Sequence, residues 1–492
     1  MSVRDLEPRA LWNNFADLNA VPRASKKEDR VIEFMMEFGK RLGLETIKDS
    51  VGNVVVKKPA TSGMENRKTI IMQSHLDMVH QKNSDSDFNF DTDGIEMIVE
   101  GDWLRANGTT LGADNGIGVA TIMALLESEN IAHPALEAMF TIDEETGMTG
   151  AINLDSVNFS GEILLNLDTE DDDELSVGCA GGIDTNTTYS YSSVPVKQGF
   201  DTYQIALRGL LGGHSGMDID SGRGNANKFM NRILRHLVDT LDIQLLSIDG
   251  GSLRNAIPRE STAVIAVSGN EKFAMEEALR YISSVISVEY RSIEKNMAIE
   301  IQSFEYKGEA VSAEDMHMIL DVLQAVHNGV YRLSPDIEGL VETSSSLARV
   351  IVKNGTFSTQ SLQRSSVEST KDDIAATIRS AFELIGCKVV QSGEYPGWQP
   401  NAKSKILNIM ADLYRERYNE EPQVKACHAG LECGILSQHL PGVDMISFGP
   451  NIRAAHSPDE KCQISSVQKF WGYLLATLEL IPLKEEVNAT TA

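Results

Sequence analysis

The sequence predicts an α/β catalytic domain with a mixed, mostly parallel sheet and flanking helices. It also predicts an inserted α+β lid domain with an internal repeat. Three observations point there. Short apolar runs alternate with helix-like segments in the first and last parts of the chain. Residues that carry chemistry stand at the ends of those runs. Between them lies a stretch of different texture, in which a strand and helix pattern starts twice. At 492 residues the chain exceeds what one hydrophobic core supports. The expected boundaries are residues 1–186 and 395–492 for the two segments of the catalytic domain and 187–394 for the insert.

Residues 1–40 read as helical, with Trp12, Phe15, Leu18, Val31, Ile32, Met35, Met36 and Phe38 at helix-like spacing. Lys68–Gln73 reads as a buried strand that ends at His75. Gly116–Glu127 reads as a buried helix, with Asp114 near its N-cap. Leu136–Ile142 is a strand delivering Glu144 and Glu145, and Ile163–Leu167 one delivering Asp168. Met445–Phe448 precedes the loop of His456. In the insert, Tyr203–Leu207 and Ala263–Val267 read as strands, and Gly224–Val238 and Glu276–Val288 as helices. Ser345–Val352, Gly355–Ser361 and Lys371–Leu384 then repeat strand, strand, helix. Tyr395-Pro396-Gly397-Trp398-Gln399-Pro400 is a turn-rich return.

The charge balance excludes some classes of partner. With 71 acidic against 44 basic residues the formal net charge is −27, a field that repels phosphate backbones. No nucleic acid partner is expected. No apolar run reaches the length of a membrane span, so no membrane partner is expected either. The N-terminus lacks the apolar core of a signal peptide, and five cysteines imply no disulfide framework. A cytoplasmic protein is expected.

His75, Asp114, Glu145, Asp168 and His456 carry most of the chemical information. In open α/β sheets, sites form beyond the carboxyl ends of strands, so these five can converge. Two imidazoles and three carboxylates can hold two divalent metals, with Asp114 bridging. Glu145 and His456 would complete one metal, and His75 and Asp168 the other. Mixed imidazole and carboxylate ligands suit zinc, manganese or cobalt. Asp77, two residues from His75, suits the carboxylate that orients a metal-bound imidazole. Glu144 is a spare carboxylate beside a ligand. Taken singly, each residue has an ordinary reading: a local pair, a helix cap, solvated acids or an acidic surface loop. The five in order favour metal binding.

Ser-His-Leu-Asp-Met-Val, Gly-Ala-Asp-Asn-Gly-Ile-Gly, Thr-Ile-Asp-Glu-Glu-Thr-Gly, Asn-Leu-Asp-Thr-Glu and Ala-His-Ser-Pro-Asp-Glu together resemble the signatures of the M20 metallopeptidase family. The resemblance runs over nearly the whole chain. It implies that His75, Asp114, Glu145, Asp168 and His456 bind two zinc ions and that Glu144 is the general base. It further implies a dipeptidase acting on unblocked dipeptides, Xaa-His and β-alanyl-histidine among them. His214, in Gly212-Gly213-His214-Ser215-Gly216, resembles the family histidine that reaches into the active site to support the oxyanion. Arg364 can grip a substrate carboxylate bidentately. Asn255 can hydrogen-bond the substrate, and Glu432 is a candidate for its ammonium. Their ordinary readings are a surface ion pair, a turn residue and a structural acid. A deacylase of N-acyl or N-carbamoyl amino acids is the alternative enzyme, and a non-catalytic metal or peptide binder the alternative of another class. Smaller family members dimerise through the lid, and a homodimer by another surface is a further expectation.

Three weaker signals fail. Gly116-Ile117-Gly118 lacks the third glycine of a dinucleotide loop. Gly213-His214-Ser215-Gly216 is not a nucleophile elbow. Cys427, His428 and Cys433 lack the spacing of a structural zinc module.

Overall fold

The computed structural model describes residues 2–335, 337–401 and 403–485. Two compact units divide the chain. The first comprises residues 1–178, 400–426 and 431–492, the second 179–399 and 427–430.

The first unit is built on an eight-stranded sheet. Its spatial order is Glu45–Lys48, Val54–Lys58, Leu136–Thr141, Ile70–His75, Ile163–Asn166, Asp444–Ser447, Glu174–Cys179, Gln423–Cys427. Its centre is parallel. Ile70–His75 runs parallel to Leu136–Thr141 and to Ile163–Asn166, which in turn runs parallel to Asp444–Ser447. Glu45–Lys48, Val54–Lys58 and Leu136–Thr141 pair antiparallel, as do Asp444–Ser447 and Glu174–Cys179. The sheet is therefore mixed, with a parallel core. Strands buried on both faces need continuous apolar runs, and Ile70–His75, Leu136–Thr141 and Ile163–Asn166 are buried at every position. The flanking strands lack that signature.

The N-terminal region is not one helical stretch. Helices Arg9–Asn19 and Asp29–Arg41 are separated by a loop through Pro22 and Arg23. Proline cannot donate to a continuing helix, and it biases the residue before it out of the helical region. Trp12 and Phe15 pack with Leu104, Leu111, Ile117, Ala120 and Val467 in one core. Helix Ala113–Glu127 is apolar on all sides, and it is buried from Asn115 to Leu126. Its first turn is irregular: Asp114 and Asn115 have non-helical dihedrals, and the peptide bond between them is cis. Asp114 makes no side-chain capping bond.

The second unit is built on a nine-stranded antiparallel sheet, in which Gly329–Leu333 pairs with Val341–Lys353 off the main path. In spatial order it runs Ala298–Ser303, Phe200–Arg208, Ser261–Ser268, Ile243–Gly250, Val341–Lys353, Thr356–Ser365, Gly181–Ser190, Lys388–Tyr395. Helices Ala226–Thr240, Lys272–Glu289, Ala313–Ala325 and Glu368–Glu383 share its core, through residues such as Phe229, Ile233, Leu279, Ile319, Ile374 and Phe382. Asn225 caps the first of them by accepting from the N–H groups of Asn227 and Lys228. The unit begins at Cys179 because Gly181–Ser190 pairs along its whole length with Thr356–Ser365.

Close packing singles out Gly118. A Cβ there would overlap Asn115 Oδ1 and Ser74 Oγ and lie 2.7 Å from the Leu167 carbonyl oxygen. Gly118→Ala is expected to lower the unfolding free energy by about 1–3 kcal/mol, read from a urea transition. Gly472→Ala, in helix Ile464–Leu480, meets nothing closer than Arg417 Nη2 at 3.5 Å. It should instead stabilise by about 0.5–1 kcal/mol.

Candidate metal centre

The ends of the parallel strands bring His75, Asp114, Glu145, Asp168 and His456 together. His75 closes its strand and is 1% exposed. Its Nε2 lies 3.1 Å from Asp114 Oδ1 and 3.6 Å from Asp168 Oδ1. His456 Nε2 lies 3.1 Å from Asp114 Oδ2 and 3.0 Å from Glu145 Oε2. Asp114 thus offers one oxygen to each imidazole. Its two oxygens divide the site into the two halves expected from the sequence: His75 with Asp168, and His456 with Glu145.

The surrounding groups hold these donors in place. His75 Nδ1 faces Asp77, 3.1 Å from its carbonyl oxygen and 3.3 Å from Oδ1. The Asp77 carboxylate also accepts from the N–H of Glu144 at 3.0 Å and of Glu145 at 3.3 Å. One acid therefore orients an imidazole and the start of the short helix Glu144–Gly147. Asn115 donates to Asp168 and, at 2.7 Å, to the Leu167 carbonyl.

Charge at the site is unbalanced toward negative. Burial works to lower the His75 pKa, but the carboxylates of Asp168, Asp114 and Asp77 drive it well above the usual range. Hydrogen bonds from Asp114 and Glu145 push His456 up to about 11. Burial, then Asp114, Glu144 and Glu432, drive Asp168 well above the carboxylate range. Burial, with Glu432, Glu145 and Asp114, pushes Glu144 up to about 8 against the pull of His75. Such a cluster calls for positive charge. Glu145 Oε1 is buried with no hydrogen-bond partner. His75, Asp114 and Glu145 place ligand atoms within 4.8 Å of one another. An orphaned carboxylate oxygen and two facing imidazoles fit divalent cations.

The second unit carries its own polar cluster. His214 lies in a two-residue bridge with Ala256–Ile257. Its Nδ1 accepts from the N–H of Gly216 at 3.2 Å and of Met217 at 3.0 Å. The ring is therefore the Nε2–H tautomer, with that hydrogen left to donate. Burial and Arg364 lower its pKa, so it stays neutral at pH 7. Arg364 is 4% exposed and donates from Nη1 to the Tyr395 hydroxyl at 2.7 Å. Asn255 is exposed, and its backbone oxygen accepts from Ser215 N at 2.8 Å. Glu432 belongs to the first unit. It is buried, with Oε2 bound by Gln73 at 2.6 Å and Thr141 at 2.7 Å, while Oε1 has no partner.

Comparison with known proteins decides the family. The model described as "Peptidase family M20/M25/M40" matches residues 71–480. The chain is 40% identical over 482 residues to the cytosol non-specific dipeptidase of Escherichia coli, covering 98% of this chain and 99% of that protein. The crystal structure of the aminoacylhistidine dipeptidase from Vibrio alginolyticus superposes with a TM-score of 0.94 at 41% identity, covering 99% of each chain. The chain belongs to the M20 peptidase family. Aminopeptidase PepT from Bacillus cereus shares the fold, with a TM-score of 0.55 at 15% identity over 97% of this chain and 99% of that one.

Within this M20 fold, two residues matter that the sequence reading passed over. Glu460 accepts from four consecutive backbone N–H groups, of Leu111 at 2.7 Å, Gly112 at 2.9 Å, Ala113 at 2.8 Å and Asp114 at 3.3 Å. Arg23 is 1% exposed. It donates to the carbonyls of Leu76 and Asp77, both at 3.2 Å, and of Gly112 at 2.5 Å. Glu460 lies inside the Ala-His-Ser-Pro-Asp-Glu motif and could have been singled out there. Arg23 sits between two helices with no local signal. Buried charged groups with several partners are costly to truncate. Glu460→Ala is expected to cost on the order of 3 kcal/mol, measured by urea unfolding at pH 7.

Proposed function

We propose that the five donors hold two divalent metals, zinc in the resting enzyme, and that this M20 member is a dipeptidase acting on unblocked dipeptides. The single observation that carries the reading is the split of Asp114 between His75 and His456, with Glu144 beside it. The dipeptidase names of the two full-length relatives support the same class, and the aminoacylhistidine dipeptidase supports Xaa-His dipeptides, β-alanyl-histidine included. Bound cations supply a Lewis acid for the scissile carbonyl and acidify a water.

The side chains do the rest. Glu144 takes a proton from the attacking water and hands it to the departing amine. Asp77 holds His75 and the backbone of Glu144 in register. His214, neutral with its Nε2–H to donate, supports the developing oxyanion. Arg364 binds the substrate's C-terminal carboxylate, Asn255 its backbone, and Glu432, through its unpartnered Oε1, its ammonium. The inserted unit acts as the lid expected from the sequence. Its strand and helix succession supports a doubled module. Phe200–Arg208, Ala226–Thr240, Ile243–Gly250, Ser261–Ser268, Lys272–Glu289 and Ala298–Ser303 form one β-α-β-β-α-β copy. Gly181–Ser190, Ala313–Ala325, Val341–Lys353, Thr356–Ser365, Glu368–Glu383 and Lys388–Tyr395 form the other, around it.

A substrate panel tests the activity: Ala-His, β-Ala-His, Gly-Leu, a tripeptide and N-acetyl-His, each before chelation, after it, and after zinc, manganese or cobalt is restored. Metal-dependent cleavage confined to the unblocked dipeptides is expected; cleavage of N-acetyl-His in their place would make the protein a deacylase. Glu144→Gln should retain bound zinc by elemental analysis while kcat falls at least about 100-fold. His214→Ala should lower kcat with metal content unchanged, and metal loss instead would make it structural. Arg364→Ala should raise KM for a dipeptide without changing that for its C-terminal amide.

A further inference from the structure

Arg364 is a buried cation without an anion. Among the described residues no carboxylate lies within 4.0 Å of its guanidinium, and its Nε is buried with no hydrogen-bond partner. Asp184, in the adjacent strand, is hydrogen-bonded to Arg254 instead. A guanidinium withdrawn from water at this cost is normally matched by a carboxylate or a phosphate. The one partner that Arg364 does have is Tyr395, whose hydroxyl oxygen accepts from Nη1 at 2.7 Å.

That contact is built into the sheet. Arg364 and Tyr395 both stand opposite Gly182, on strands either side of it. A Cβ at Gly182 would lie 2.6 Å from Cε1, Cζ and Oη of Tyr395, so only glycine leaves room for the ring. The backbone of Tyr395 is held as firmly. Its carbonyl accepts from the fully buried Lys371 Nζ at 3.0 Å, and Lys371 also meets Glu368 at 2.7 Å. Glu368 in turn accepts from Gly397 N at 2.8 Å. With Nη1 tied to Tyr395, the guanidinium keeps its Nε and Nη2 edge for a ligand, the geometry that pairs with a carboxylate through two parallel bonds. The phenol oxygen accepts that bond, which leaves its own O–H to donate elsewhere. That hydrogen is a third donor.

We propose that Tyr395 determines specificity for the substrate's free C-terminal carboxylate: it fixes the Nε and Nη2 edge of Arg364 toward that carboxylate and offers its O–H as a third donor. The inference rests on the reading that Arg364 binds this carboxylate. Lys371, Glu368 and Gly182 act as positioning residues for the ring.

Steady-state kinetics of the zinc-loaded full chain on Gly-Leu and on Gly-Leu amide test it, for wild type, Tyr395→Phe and Arg364→Ala. Tyr395→Phe keeps the ring on Gly182 but removes the acceptor of Arg364 Nη1, so the thermal midpoint should fall by a few degrees with the fold retained. KM for the free acid should rise about tenfold or more with kcat little changed, and the amide should be unaffected. If Tyr395→Phe keeps the acid-over-amide preference within twofold while Arg364→Ala abolishes it, the role of Tyr395 is refuted and that of Arg364 stands. If Arg364→Ala also keeps the preference, the carboxylate reading itself falls. Equal losses on acid and amide in Tyr395→Phe would make the tyrosine merely structural and overturn the proposal.

Discussion

The turn from Leu111 to Asp114 is gripped from both sides, and the candidate centre depends on that grip. Glu460 gathers its four N–H groups, while Arg23 takes the carbonyl of Gly112 together with those of Leu76 and Asp77. One clamp comes from near the N-terminus and the other from near the C-terminus. Between them they set where Asp114 stands relative to His75. Backbone groups bonded to buried charges have few alternatives, so the geometry is enforced by the cost of breaking it. Preorganisation of this kind lets a carboxylate serve two imidazoles at once without rearranging.

Each unit, taken alone, holds charge that its own side chains leave uncompensated. In the first, acidic groups crowd the strand ends until both imidazoles are driven toward their cationic forms. In the second, a guanidinium is buried with its Nη1 bonded to a phenol. A fold optimised for stability alone would avoid both arrangements. Under the proposed function, each would be offset by a ligand of opposite sign: cations in one case, an anion in the other.

Much of this was legible in the sequence, for an identifiable reason. Central parallel strands are mostly apolar, so the runs Ile70–Met72, Ala138–Phe140 and Ile163–Leu165 announce themselves, and the polar residues that follow them stand out. Gly181–Ser190 does not: it runs Gly-Gly-Ile-Asp-Thr-Asn-Thr-Thr-Tyr-Ser, and buries Thr185 and Thr187 where an apolar residue would have signalled a core. Arg23 and Glu460 were missed because their partners are backbone groups remote in sequence, which leave no periodic trace. Asp114 read singly suggests a helix cap, as a short acid before an apolar helix usually is, and only its place among the other donors pointed to the two imidazoles.

The position of strand Asp444–Ser447 also constrains how the protein can be made. It lies inside the sheet, between Ile163–Asn166 and Glu174–Cys179, yet it is translated after every other strand of that sheet. Until then the nascent first unit has a slot with two unpaired strand edges, and it lacks both His456 and Glu460. The intervening unit has its entire sheet in hand by Tyr395 and can fold while the rest waits. Assembly thus proceeds from the inside of the chain outward, and the candidate centre is completed only after His456 and Glu460 have been translated. A product truncated before Asp444 would therefore carry a finished inserted unit and a candidate centre that lacks both residues.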